Sequence, residues 1–156
     1  MKIKYFLAVS LTVVTTTTLL AASPAEEQIK ARQSAYEFMG WNAKKIKAQV
    51  VDHPETYNKE DVQAAANALA ATANAGLGAL YGEGTDKGTG WQPSHLKPEY
   101  FKEQDKAKEI GLTLSKEATK LAEVADTGDI DAIKAQFGEV GKTCKSCHDS
   151  FRIRDK

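Results

Sequence analysis

An all-α fold, an antiparallel up-down-up-down four-helix bundle, is what this sequence predicts. Three observations carry that prediction. Four segments repeat apolar residues in steps of three and four, and no stretch alternates apolar with polar residues as a half-buried strand would. The segments are mostly joined by short links, which makes sequence neighbours run antiparallel. A length of 156 residues, 42% hydrophobic and 27% charged, suits one domain with a buried core and excludes wholesale disorder.

That domain is preceded by a different kind of segment. Met1-Lys2-Ile3-Lys4 is a short basic start, Tyr5 to Leu20 is apolar and hydroxylic, and Ala21-Ala22-Ser23-Pro24 brings small residues. This order reads as a secretory signal peptide, residues 1–22, cleaved near Ala22. As a retained anchor the run is weak, because Thr15 to Thr18 dilute it and it barely reaches the ~20 residues needed to span a bilayer. The expectation is an exported, periplasmic, soluble domain over 23–156, with no membrane contact after cleavage. The whole chain has 21 Lys+Arg against 21 Asp+Glu. Cleavage removes two basic residues, Lys2 and Lys4, and no acidic one, so the mature net charge is −2. Phosphate binding needs a basic surplus, so no nucleic-acid partner is expected.

The first helix runs from about Glu26 to Val50, with Ile29, Gln33, Tyr36, Met39 or Gly40, Ala43 and Val50 at helical spacing. Glu26 and Glu27 suit the positive end of its dipole. Asp52-His53-Pro54 stops it, since proline disfavours a helical residue before it. Asn58 caps the second helix, whose seam of Val62, Ala66, Leu69, Ala73, Gly76 and Leu80 is narrow, as in coiled coils. Gly82 to Lys97 is a long connection rich in turn formers, of the kind that is usually functional or mobile. Pro98 suits the first turn of a third helix carrying Phe101, Ala107, Gly111, Leu114, Ala118, Leu121 and Ala125. Gly128 ends it and Asp129 caps the fourth. There Ile130, Ile133, Phe137, Val140, Cys144, Cys147 and Phe151 step by three and four without a break. Small residues recur in these seams. They either let helices approach closely or leave space for something other than a side chain, and spacing alone does not separate the two.

Cys144-Lys145-Ser146-Cys147-His148 is Cys-x-x-Cys-His, the signature of c-type haem attachment. The two thiols add across the porphyrin vinyl groups as thioethers, and the adjacent imidazole reaches the iron as axial ligand. At i, i+3 and i+4 the three side chains share one helix face. That face continues the apolar stripe, so one covalently bound haem c per chain is predicted in the bundle core. A thioredoxin-like pair would open a helix in a βαβ context. A structural zinc site needs four ligands where three cluster here. A disulfide between these positions inside a helix would be strained.

The motif's place, eight residues from the C-terminus, resembles the class II cytochromes c, specifically the cytochrome c′ family. The likeness runs through the mature chain. Arg32-Gln33-Ser34-Ala35-Tyr36 resembles the family's Arg-Gln-Ser-Ala segment on helix A. Tyr81-Gly82-Glu83-Gly84-Thr85 and Lys97-Pro98-Glu99-Tyr100 resemble its Phe-x-x-Gly-Thr and Lys-Pro-Glu-Ile-Trp stretches, and Phe151-Arg152 stands where Tyr-Arg is usual. The departures are a slightly longer loop, Tyr100 for Ile and Phe151 for Tyr.

The resemblance implies that His148 is the single protein ligand of a five-coordinate iron, with Tyr36 covering the distal face. Such a site admits nitric oxide and carbon monoxide reversibly, giving scavenging or buffering of nitric oxide with a possible electron-transfer role. It further implies a homodimer through helices A and B, the first two, and propionate contacts from Arg32 and Gln33, with Ser94 at the haem edge. Arg152 either lies by the proximal face or complements the helix dipole. The alternative is a six-coordinate His/Met electron carrier in which Met39 binds the iron. His53 and His95 are expected in solvated linkers, and Trp41 and Trp91 in packing. No Ser/His/Asp arrangement, phosphate loop or second metal cluster is present, and a peroxidase would need a distal acid–base group such as histidine near Tyr36. The chain is therefore not expected to be an enzyme.

Overall fold

The computed structural model describes residues 23–154; the expected signal peptide, residues 1–22, lies outside them. Four α-helices dominate: α1 (Pro24–Lys47), α2 (Lys59–Ala73), α3 (Gln104–Thr127) and α4 (Ile130–Phe151). Among the described residues there is no strand beyond two isolated bridges, Thr89 with Pro93 and Leu96 with Arg152.

Each helix end has a local cause. Ser23 caps α1 in a reciprocal box: its hydroxyl accepts from the Glu26 amide at 3.3 Å, and the Glu26 carboxylate accepts from the Ser23 amide at 2.9 Å. Pro24 follows at the first helical position. A π turn over Ala48–Asp52 widens the end of α1 before His53-Pro54 breaks it. Asn58 and Asp129 cap α2 and α4 as expected, accepting from backbone amides three and two to three residues on. Gly128 ends α3 in the left-handed region at φ 77°.

Two expected boundaries were misplaced. The second helix does not continue through Gly76 to Leu80: Gly76 takes φ 72°, and Leu77–Leu80 form a separate 3-10 turn. Pro98 does not open α3 either. Pro98–Phe101 is its own 3-10 turn, and α3 begins at Gln104.

Cross-helix bonds fix the antiparallel register. Gln63 donates to Asp126 at 2.7 Å, the Ser115 hydroxyl to the Ala73 carbonyl at 3.0 Å, and Gln136 to the Glu117 carboxylate at 2.7 Å. The driest core lies at the end where α1 finishes and α4 begins: Ile46, Val50, Val62, Leu121, Ala125 and Ile133 are fully buried. The valine, leucine and isoleucine side chains among them each contribute about 1.5–3 kcal/mol on burial. The helices pack α1 on α2, α2 on α3 and α3 on α4, while α1 and α4 barely touch. The bundle is thus closed at one end and parted between α1 and α4, where the attachment motif lies.

Candidate functional site

A cavity of about 1480 Å³ fills that parting. It exceeds the roughly 300–1,000 Å³ of ordinary small-molecule pockets. Cys144, Cys147 and His148 of α4 line one wall, and Arg32, Tyr36 and Met39 of α1 line another. Leu69, Ala73, Leu114, Phe137 and Val140 supply apolar surface between them. The question left open by the small seam residues is answered here. A Cβ placed on Gly40, Gly111 or Gly141, all lining the cavity, would meet no atom within 4 Å. These glycines leave space; they do not draw helices together.

The donor set and the cavity fit a haem c. Both cysteines are free thiols and half-buried, and burial raises both thiols above their ordinary range. They remain protonated at neutral pH, and each S–H supplies both the sulfur and the hydrogen that addition across a vinyl group consumes. Partial burial, then the Arg152 charge, lower the pKa of His148. The imidazole is therefore neutral at neutral pH, as a ligand must be. Among the described residues no group of three or more His, Cys, Asp and Glu could hold a metal ion by itself.

Across the cavity, Tyr36 is 36% exposed. Its pKa is raised, chiefly by desolvation, so it is a neutral phenol. The Tyr81 hydroxyl donates to the Tyr36 oxygen at 3.1 Å. Met39, three residues on, is only 6% exposed and packs into the core while its side of α1 faces the cavity.

Arg32 and Gln33 line the cavity, yet their polar atoms are largely committed elsewhere. Arg32, 6% exposed, donates from Nη1 to the Leu80 carbonyl at 3.3 Å. Its Nη2 donates to the Thr85 carbonyl at 2.5 Å and to Ser94 Oγ at 2.7 Å. Gln33 donates to the Gln92 carbonyl at 2.9 Å and accepts from the Trp91 amide at 2.8 Å. Both residues therefore tie the 82–97 loop to α1, a role the sequence reading missed. Arg32 nevertheless forms no ion pair among the described residues. Ser94, expected at the haem edge, also donates to the Thr85 carbonyl at 2.7 Å and is not among the residues lining the cavity, although its neighbours Pro93 and His95 are.

Arg152 stands where the chain leaves α4, and it and His148 both line a smaller cavity of about 550 Å³. His53 is exposed, 3.2 Å from Glu55. His95 departs from expectation: it is half-buried, lines the large cavity, and its carbonyl accepts from the Ile153 amide at 2.8 Å. Trp41 and Trp91 are not packing residues, being 62% and 70% exposed. Trp91 Nε1 donates to Ser34 Oγ at 2.8 Å, pinning the loop tip instead.

Sequence reading also missed the aromatic wall. Tyr81 stacks on Tyr100 with centroids 4.5 Å apart, and Tyr100 meets Phe151 edge-on at 5.3 Å. The available signal was the aromatic residue flanking each end of the long loop.

Comparison with known proteins gives one consistent result. A family model described as cytochrome c′ matches residues 27–152. The chain is 50% identical over 131 residues to a cytochrome c′ of Rhodocyclus tenuis, covering 84% of this chain and 97% of that one. It superposes with TM-score 0.79 on a solved cytochrome c′ described as having an unusual ligand-controlled dimer dissociation, at 48% identity over 86% of this chain and all of the other. A nitric oxide complex of a variant cytochrome c prime from Alcaligenes xylosoxidans gives TM-score 0.74 at 29% identity, over 86% of this chain and 100% of that one.

Proposed function

Because this chain belongs to the cytochrome c′ family, we propose that it is an exported, periplasmic haem c protein that binds nitric oxide and carbon monoxide reversibly. Scavenging or buffering of nitric oxide is the role this chemistry serves, with electron transfer possible through the same centre and no catalytic turnover. One observation carries the reading: the attachment triad Cys144, Cys147 and His148 faces, across an open cavity, a neutral phenol that is a poor metal ligand.

A haem held by Cys144, Cys147 and His148 would supply an iron able to take up a diatomic ligand. The rest is the work of this chain's residues. Cys144 and Cys147 hold the group covalently, and His148 offers a neutral imidazole nitrogen. Tyr36 fills the space opposite and must move for a ligand to enter. The apolar walls exclude water and give anions little stabilisation. Arg32 is a buried cation that forms no direct ion pair among the described residues, with Asp86 acting on it only through its field, so an anion at the cavity would be favoured there. A haem propionate is such an anion, so Arg32 keeps the propionate role beside its hold on the loop, with Gln33 next to it.

A homodimer through α1 and α2 is part of the reading. It is supported by Phe38 and Trp41, large apolar side chains left exposed on α1. The solved relative described by its ligand-controlled dimer dissociation supports a dimer without specifying its helices. No described helix is long and apolar enough to cross a membrane.

The spin state of the purified ferric protein, by optical and electron paramagnetic resonance spectroscopy, tests the assignment. High-spin iron is expected. A low-spin spectrum with a methionine-to-iron band would instead make Met39 a ligand and the protein a six-coordinate electron carrier.

A further inference from the structure

We propose that Tyr81 is a positioning residue for this site: its hydroxyl latches Tyr36 across the cavity, and a ligand is admitted when that single hydrogen bond opens. The inference rests on Tyr36 being the group that covers the open iron position.

The two phenols are held very differently. Tyr36 is 36% exposed, and Tyr81 is the hydrogen-bond partner of its hydroxyl, at 3.1 Å with Tyr81 donating. Tyr81 is fixed by its surroundings. Its ring stacks on Tyr100 at 4.5 Å and 17°. The Arg32 guanidinium lies 4.8 Å from its centroid, in cation–π range, and that guanidinium is itself immobilised by Leu80, Thr85 and Ser94. Tyr100 is braced edge-on by Phe101 at 5.7 Å and by buried Phe151 at 5.3 Å. Phe151 ends the helix that carries the attachment motif. The post is therefore rigid and the gate is hinged. A rotamer change of Tyr36, whose ring makes no stacked or edge-on contact among the described aromatic residues, breaks the latch and leaves the post standing. Both phenols are neutral, so the bond persists across neutral pH.

The latch exists in the closed state and is broken once a ligand is inside. Its removal therefore speeds binding and leaves dissociation unchanged. The expected gain is about three- to tenfold, the effect of one net hydrogen bond on a barrier.

Stopped-flow binding of carbon monoxide to the ferrous holoprotein tests this with Tyr81→Phe, Tyr36→Phe, the double variant and Tyr36→Ala. Phenylalanine keeps every ring contact and removes only a hydroxyl. The latch predicts that each single Phe variant binds faster by the same factor, that the double variant gains nothing more, and that off-rates stay at the wild-type value. Ultraviolet resonance Raman should show a hydrogen-bonded tyrosine signature in the unliganded wild type that is lost in Tyr81→Phe. If Tyr36→Ala binds faster but Tyr81→Phe binds at the wild-type rate, the latch is overturned and the gate stands. If Tyr36→Ala also binds at the wild-type rate, the gate reading falls and takes the latch with it. Additive gains in the double variant overturn the coupling of the two hydroxyls.

Discussion

Replacing Arg32 by methionine tests how the long 82–97 loop is held against α1. The guanidinium makes three bonds: to the Leu80 carbonyl at 3.3 Å, the Thr85 carbonyl at 2.5 Å and Ser94 Oγ at 2.7 Å. Methionine keeps much of the apolar stem and removes all five donors. A bond from a charged donor is worth about 1.5–3 kcal/mol, but the 3.3 Å bond is long and contributes least. The Thr85 carbonyl is not orphaned, because the Ser94 hydroxyl still donates to it at 2.7 Å. Two short bonds from a charged donor, roughly 3–6 kcal/mol gross, are then lost. Relief of the buried guanidinium's desolvation returns part of that. The net expectation is a loss of about 1–2 kcal/mol, since that relief, several kcal/mol for a buried ion, offsets most but not all of the lost bonds. For a domain of this size 1 kcal/mol moves Tm by about 4 °C, so Arg32→Met should melt about 4–8 °C lower. Thermal melts of the holoprotein give that number, and hydrogen exchange of the Thr85 and Gly90 amides locates the loss in the loop. A Tm within 1 °C of wild type, with unchanged loop exchange, would refute the clamp.

Three further outcomes are expected of the same fold. At Gly90 a Cβ would lie 2.5 Å from Gln33 Oε1 and 2.8 Å from both Ile29 Cγ2 and the Lys30 amide nitrogen. Gly90→Ala should therefore cost about 1–3 kcal/mol in chemical denaturation, whereas Gly138→Ala, on open helix surface, should be neutral or slightly stabilising. Burial lifts the phenols of Tyr36 and Tyr81, and pushes Tyr100 up to about 12. Unfolded phenols titrate near 10, so above that pH the unfolded chain releases protons the fold retains, and stability falls as pH rises from about 10 to 12. Melts across that range should show the decline, and Tyr81→Phe should flatten it; an unchanged slope would count against the buried pair. Finally, the double variant Cys144→Ser, Cys147→Ser should lose all haem on a denaturing gel stained for haem, while each single variant retains some.

Periodicity was enough for the bundle because each helix buries a stripe, and a stripe leaves a 3/4 spacing in the chain. Val50, Val62, Leu121 and Ile133 are where that logic put them. It failed at Gly76 and Pro98, where the apolar spacing ran on but backbone conformation did not follow: a left-handed glycine and a 3-10 turn are local choices that spacing does not record. The attachment motif was legible because its chemistry is contiguous. The loop clamp was not, since Arg32 meets Thr85 and Ser94 from 53 and 62 residues away. The same distance hid Tyr81 from Tyr36, which lie 45 residues apart in sequence. Trp41 and Trp91 misled because size argues for burial in general and says nothing of which face of α1, or which loop tip, carries the ring.

The central claim is that the parting between α1 and α4 is a haem site with its Tyr36 side open to a diatomic ligand. Anaerobic titration of the ferrous holoprotein with nitric oxide, followed optically, addresses it most directly. The account predicts saturation at one nitric oxide per haem, reversible on removal of the gas. A ferrous protein that stays spectrally unchanged at excess nitric oxide, or that binds it only after Met39→Ala, would contradict it.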